Sequence, residues 1–491
     1  MADGSPHPRF YPTKSSTSRG PLKKARPPDE WGGEQPVELQ EPLEELARDP
    51  KRFAHDLVFP PEDRIRVYDD TLRDGEQMPG VAITPKDKYE LARMLSDIGV
   101  HVMDVGFPAV SESERETLRL VLEGRKRGEI RADLEVVCMM RSTPSDIDAT
   151  MRVIDSLGYK RDEVTYFIFT SASDLHVKYK LGKTLLHREG IPESEWLELP
   201  VWFYRAANLR MMCDAIRYAR QQGATSIEFG GEDGSRADVE YIVEIHREGI
   251  RAGGTRPSTP DTVGCYSPFA VREYIPRIKA AAPDAPLVVH FHNDLGLGAW
   301  NTVMALGSGA EVFTTSVNGI GERTGNAPMH QVLMQLRYLF GIEIPKFKYE
   351  KLRELARHLE RVTGIPVQPT EPGIGLNVFT HESGIHTAGM LIHPAIYQVL
   401  PPGDMGAKVD YVYGKHSGAV VIEHALREAG IRPEPELVAK VLGEVKRVRE
   451  ERAEQADYSD FHHRYYDHLG HMGLTAEEVV DIARALTANK S

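Results

Sequence analysis

Cysteine is scarce in this chain. Only Cys138, Cys213 and Cys265 occur among 491 residues, too few and too far apart for a disulfide framework or a thiolate zinc cage. A reducing, cytoplasmic location fits them. Also absent is any apolar run of about 18 residues, so no membrane-spanning helix is expected. The first residues lack the apolar stretch of a secretory signal. Positive charge is in deficit: 60 Lys and Arg stand against 73 Asp and Glu, a formal charge of −13. Such a balance argues against nucleic acid as the main partner, while leaving room for a local cationic pocket that takes a small anion. What is present is the make-up of an ordinary folded protein, 41% hydrophobic and 27% charged, with enough chain for more than one core.

Residues 1–60 are rich in Pro, Gly and charge and read as a disordered or extended arm. Residues 1–26 hold six Lys or Arg against Asp3 alone, either a docking segment or a solvated tail. Regular structure begins at the apolar run Ile65–Asp69. After a polar loop, Thr84 and Pro85 have the chemistry of a helix start, Leu91, Leu95 and Ile98 recur at helical spacing, and Gly99 is placed to end the helix. The unit repeats. Apolar, β-branched runs fall near residues 101–106, 134–140, 164–169, 226–230, 287–291 and 312–317, mostly with amphipathic stretches between them. A weaker strand is expected near 258–263, where Pro-Ser-Thr-Pro is poor strand material. Eight strands alternating with helices predict an α/β fold, a TIM (β/α)8 barrel over residues 61–345; a doubly wound open sheet is the alternative. A linker or lid subdomain over 346–400 and a helical subdomain over 401–491 complete the chain. In the last helix Thr475 and Glu478 spell a capping box, and Val479, Ile482, Ala483 and Leu486 are expected to form its buried face.

Chemistry-bearing residues gather where barrel enzymes build their sites, at the C-terminal ends of strands. The first strand runs into Asp69-Asp70-Thr71-Leu72-Arg73-Asp74-Gly75-Glu76-Gln77. There Asp74 can bind a metal and Arg73 can pair with an anion or a developing oxyanion; a solvated salt-bridge loop is the alternative. The seventh strand ends in His290-Phe291-His292-Asn293-Asp294. Alternate residues share a strand face, so both imidazoles can reach one divalent ion. A lone histidine would more simply be a satisfied core residue. Asn318–Asn326 is a Gly-rich turn whose G-x-G-x-x-x-G spacing is one residue too long for a dinucleotide fingerprint. Polar residues at Arg141, Thr170-Ser171, Glu232-Asp233 and Asp261-Thr262 end other strands, which suits one shared pocket.

Asp69–Gln77, Gly106-Phe107-Pro108, residues 290–296 and Asn318–Asn326 together resemble the DRE-TIM metallolyases. Within them the match is to the 2-isopropylmalate, homocitrate and citramalate synthases. His381-Glu382-Ser383-Gly384-Ile385-His386 and Gly414-Lys415-His416-Ser417-Gly418 resemble their C-terminal motifs. The resemblance covers residues 64–420. It implies that Asp74, His290 and His292 ligate a divalent metal (Mg²⁺, Mn²⁺ or Zn²⁺), with Asn326 a candidate fourth ligand. Arg73 would stabilise the enolate or alkoxide, and Glu232 would belong to the acid/base machinery. Gln77, Arg141, Thr170 and Thr262 would contact substrate. His386 and Tyr397 match a catalytic pair that family dimers deliver onto a neighbouring subunit's barrel. The implied reaction is condensation of acetyl-CoA, the co-substrate, with a 2-oxoacid to give an alkylmalate and free CoA. The ion polarises the ketone, a base removes a methyl proton from the acyl-CoA, and water cleaves the thioester. The base stays open, with His386 acting together with Glu232 as the candidate.

Thr170–His176 leans toward isopropylmalate synthases, whereas the short C-terminus leans toward homocitrate synthases, and another alkyl- or arylmalate product is equally compatible. With 73 residues after Gly418, no leucine-sensing regulatory domain is expected. An acyl-CoA lyase of the same superfamily is a rival, although such lyases use a cysteine loop after the barrel and no cysteine here lies beyond Cys265. A non-catalytic regulatory barrel is the rival from another class. It would predict damage to the constellation, yet every member is present.

Overall fold

The structure, a computed structural model, describes residues 57–470 and 473–488. The arm expected at the N-terminus lies outside them up to residue 56. Eight parallel strands close into a barrel: β1 (Arg66–Asp69), β2 (Val102–Asp104), β3 (Glu135–Arg141), β4 (Thr165–Ser171), β5 (Ile227–Glu232), β6 (Arg256–Asp261), β7 (Val288–Phe291) and β8 (Val312–Thr315). Closure is direct, with β1 registered on β8 from Arg66↔Val312 to Asp69↔Thr315, which excludes the open sheet. The expected strand near 258–263 forms two residues earlier. Pro257 and Pro260 remove two ladder donors, yet β6 stays registered between Glu228↔Arg256 on one side and Asp261↔Phe291 on the other. Closure of the ring fills that place whatever the local propensity.

The helices form for the reasons their sequences give. In Pro85–Ile98 the Thr84 hydroxyl accepts from the Asp87 amide at 3.2 Å, and Gly99, at φ 111°, ends the helix in the left-handed region that glycine adopts without strain. Leu91, Leu95 and Ile98 are fully buried against the sheet; each such side chain contributes about 1.5–3 kcal/mol by leaving water. Inside the barrel, Tyr68, Val102, Val137, Val288 and Val312 form a second, smaller apolar cluster. These residues plug the bottom and leave the C-terminal mouth open.

Helix Leu352–Thr363 still belongs to the barrel, burying Leu352, Leu355, Ala356 and Leu359 in the main core. Beyond it, Thr380–His381 pairs in parallel with Asp410–Tyr411, and the helices Gly384–Ile392, Ala419–Glu428, Pro435–Gln455, Ser459–Gly470 and Ala476–Ala488 follow. The two C-terminal motifs dock on each other. The Gly384 amide donates to the His416 carbonyl at 2.9 Å, and the His416 amide donates to the Glu382 carboxylate at 3.3 Å. A Cβ on Gly384 would come within 2.9 Å of Gly418, so glycine is what permits the contact. The capping box forms as expected, with Thr475 and Glu478 bonding each other's amides. Its buried face does not: Val479, Ile482 and Leu486 are 54%, 49% and 64% exposed, and Ala483 is exposed as well. An apolar stripe at helical spacing supplies a face to be covered, and among the described residues of this chain these side chains stay about half exposed. Among the described residues no helix is long and apolar enough to cross a membrane.

Candidate active site and metal centre

The mouth of the barrel holds a cavity of about 310 Å³ lined from all round the ring. On its β7–β8–β1 side, Asp74, His290 and His292 each offer one ligand atom within 4.8 Å of the others, and all three residues are buried. Strand alternation puts both imidazoles inward, and the turn after β1 brings Asp74 to meet them. His290 is oriented from behind: its Nδ1 lies 2.7 Å from the Thr314 hydroxyl and 3.1 Å from Asp70, leaving Nε2 facing Asp74 at 3.7 Å. A divalent metal fits here on three counts. Two imidazoles and a carboxylate are an ordinary donor set for one. Asp74 Oδ1, His292 Nδ1 and Asn326 Oδ1 are all buried without a hydrogen-bond partner, a costly condition that an ion relieves. A carboxylate and a hydroxyl behind the ligating His290 supply the support that such histidines use.

The charges agree. Burial pushes the Asp74 carboxyl up, but Arg73, His290 and His292 outweigh it and hold the group ionised, well below the usual carboxylate range. Burial, reinforced by His290, pushes the His292 imidazole down to about 4, the neutral form that ligates metal. Arg73 is clamped between two carboxylates, Nη1 at 2.5 Å from Asp74 and Nε at 2.7 Å from Asp104, so its guanidinium cannot swing away from the metal side. Asn326 is set beside His292 by a backbone bridge. The loop before it turns through Asn318 and Arg323, both at positive φ. Arg323 bonds Asp294 and the Thr262 carbonyl, tying the mouths of β6, β7 and β8 together.

Glu232, at the end of β5, lines the cavity and is ion-paired with Lys180; His176 lies 3.8 Å from it. Gln77 and Thr262 also line the cavity. Two expected contacts do not. β4 alternates so that Phe167 and Phe169 face inward, and Thr170 instead donates outward to Asn208 on helix Val201–Gln221. Arg141, past the inward-facing part of β3, grips Asp146 at 2.7 and 2.9 Å outside the lining. His386 and Tyr397 stack on each other, centroids 4.2 Å apart. Both sit in the post-barrel region and neither lines the cavity of its own chain.

Sequence reading missed Tyr68, Met139, Phe167, Phe169, Lys180 and Glu228, all of which line the cavity. Parity was the usable signal. With Glu232 inward on β5, Gly230 and Glu228 must face inward too; with β4 closing on the same interior, its aromatic residues become a wall. Lys180 carries no such signal, because it reaches Glu232 from the irregular turn His176–Lys180.

Comparison with known proteins agrees with the geometry. A family model described as HMGL-like matches residues 64–188 and 202–359, and one described as homocitrate synthase post-HMGL domain-like matches residues 374–453. A homocitrate synthase of Methanopyrus kandleri is 38% identical over 78% of this chain and 87% of its own length. A probable 2-isopropylmalate synthase of Ignicoccus hospitalis is 36% identical over 81% and 90%. Methylthioalkylmalate synthase 1 of Arabidopsis thaliana is 36% identical over 76% and 72%. Among solved structures, an HMG-CoA lyase of Bacillus subtilis aligns at 20% identity and a TM-score of 0.48, covering 63% of this chain and 97% of that one. Two family models laid end to end along the chain, and relatives named as synthases matched over 72–90% of their own length, show that it belongs to the HMGL-like family and is an enzyme of its condensing-synthase kind.

Proposed function

We propose that this enzyme condenses acetyl-CoA with a 2-oxoacid to give a 2-hydroxy dicarboxylate and free CoA, in the manner of a 2-isopropylmalate synthase. The observation that carries this reading is the buried set Asp74, His290 and His292 beside a clamped Arg73, with Glu232 across the same cavity. Asp74, His290 and His292 would hold a divalent ion, with Asn326 beside them; when bound, the ion chelates the oxoacid and polarises its ketone. The remaining work falls to side chains. Arg73 faces the oxygen on which negative charge develops as the new carbon–carbon bond forms. Glu232, ion-paired with Lys180 in the same cavity, is suited to taking or relaying the methyl proton. Thr262 orients the oxoacid. Water then cleaves the thioester, and loss of CoA drives the sequence forward.

A homodimer completes the site in this proposal. His386 and Tyr397 are stacked and exposed at the surface of their own chain, a state that suits delivery onto a partner's barrel. We place the enzyme in the cytoplasm on its three free cysteines. The test is release of free CoA from acetyl-CoA with Mg²⁺ or Mn²⁺ across 2-oxoisovalerate, 2-oxoglutarate, pyruvate and phenylpyruvate. Release that depends on one acid, and disappears with EDTA or in His292→Ala, is the expected outcome. Silence across the panel from folded, metal-loaded protein would sink the condensation reading in favour of acyl-CoA cleavage.

A further inference from the structure

Resting on that reading of the site, we infer that the oxoacid carries an uncharged, apolar side chain, and that Glu228 on the cavity floor rejects acids bearing a second carboxylate. The closed strand order sets the directions. The candidate ligands stand on the β7–β8–β1 side, and β3, β4 and β5 lie across the ring from them. An acid chelated through its carboxylate and ketone must therefore send its remaining carbons toward that far wall.

The β3–β4 part of that wall is apolar. Met139 on β3 and Phe167 and Phe169 on β4 face the cavity, and Phe107, from the loop after β2, meets Phe169 edge to face at 6.3 Å. Below them the floor carries Tyr68 and the carboxyl of Glu228. A second substrate carboxylate placed there would need a cation, and every cation lining the cavity is already engaged. Arg73 is held by Asp74 and Asp104, Lys180 by Glu232, and Arg323 by Asp294 and the Thr262 carbonyl, while Arg141, over the Phe107 ring at 5.8 Å, is held by Asp146. Arg256 lies behind the floor, 2.8 Å from both Glu228 and Glu135 and outside the lining. A dicarboxylic oxoacid would thus bury an unpaired charge against aromatic rings and beside a carboxyl, which is strongly unfavourable. An alkyl or arylalkyl side chain gains by the same burial.

The matched pair 2-oxopentanoate and 2-oxoglutarate tests this, because the two share a five-carbon chain and differ in a terminal methyl against a carboxylate. Two readouts are taken on Mn²⁺-loaded wild-type protein at about pH 8, where the Glu228 carboxyl, pushed up to about 7 by burial, is ionised: kcat/KM for CoA release, and calorimetric binding of each acid without acetyl-CoA. The expected result is a preference for 2-oxopentanoate of about a hundredfold in both, the scale at which an unpaired buried charge is rejected. Glu228→Gln should move that ratio toward 2-oxoglutarate by about tenfold. The wild-type comparison stands without the variant if it fails to fold. Preferential binding of 2-oxopentanoate with no CoA released from any acid would remove the condensation reading and leave this inference standing. Equal or better use of 2-oxoglutarate in either readout would overturn the inference and spare the condensation reading. Binding of neither acid to metal-loaded protein would overturn both.

Discussion

Gly325 sits at φ 87°, and a Cβ there would fall 1.8 Å from the Gly319 carbonyl oxygen. No rotamer escapes a backbone clash of that size, so Gly325→Ala must move the loop that delivers Asn326. Its kcat/KM is expected to fall by about a hundredfold, in line with displacement of a positioned group. Gly128, at φ 75° with open space around it, is the control: Gly128→Ala should cost about 1 kcal/mol of stability and leave turnover intact. Urea denaturation and steady-state kinetics on the pair separate the two effects. Glu228 gives a second prediction. Burial pushes its carboxyl from 4.5 up to about 7 against the pull of Arg256, with Glu135 and Asp104 adding to the rise. Folding therefore takes up a proton, the stabilising state is the protonated one, and stability is lost as pH rises from about 4.5 through about 7. Glu228→Gln lacks that titration. Its melting temperature relative to wild type should climb between about pH 5 and about pH 8, and a flat difference would show that Glu228 is ionised throughout.

Between elements, a buried ion triad holds two mouths of the site together. Lys88 on helix Pro85–Ile98 is fully buried, 2.5 Å from both Glu76 and Glu114. Glu76 also accepts from the Ile83 amide, and Glu114 from the Phe107 amide, each at 2.7 Å. One ammonium thus links the turn that carries Asp74 to the loop that carries Phe107. Removing it strands the buried Glu114 and leaves the half-buried Glu76 without its cation, so Lys88→Met should cost about 3 kcal/mol in urea unfolding. Adding Glu76→Gln and Glu114→Gln should return part of that loss; no recovery would mean that packing, not charge, dominates. The helix itself was legible, because Thr84, Pro85 and Gly99 are local signals. The role of Lys88 was not, since a lysine within a helix reads as solvent-facing until the fold brings Glu114 over it. Thr170 failed for a similar reason. It ends a strand as the candidates do, but only the strand's orientation shows that Phe169 rather than Thr170 faces the cavity.

At the scale of the whole molecule, the barrel mouth is lined by strands or the loops that follow them from all round the ring, while His386 and Tyr397 stay outside it. Should two chains complete one site, His386→Ala and Arg73→Ala proteins, each inactive, will regain up to about a quarter of wild-type turnover when mixed and allowed to exchange subunits, the share expected from random pairing in dimers. Absence of recovery with exchange verified by mass would place both groups in one subunit's chemistry or remove His386 from it. The exposed apolar stripe at Val479, Ile482 and Leu486 bears on the same point. It follows the helical period that usually marks a buried face, and a face of this kind calls for a covering surface.

The eight-strand rhythm, the helix caps, the two imidazoles at alternate positions and the Asp74 turn were written in the sequence, because each rests on spacing within a few residues or on motifs that spell one chemistry. Closure of the ring belonged to the tertiary structure, for it depends on a β1–β8 pairing between segments about 250 residues apart. The same long-range geometry set Glu228 and Tyr68 as a floor, Phe167 and Phe169 as a wall, and Lys180 against Glu232. Local pattern tells which residues share a face; only the closed barrel decides which faces share a cavity.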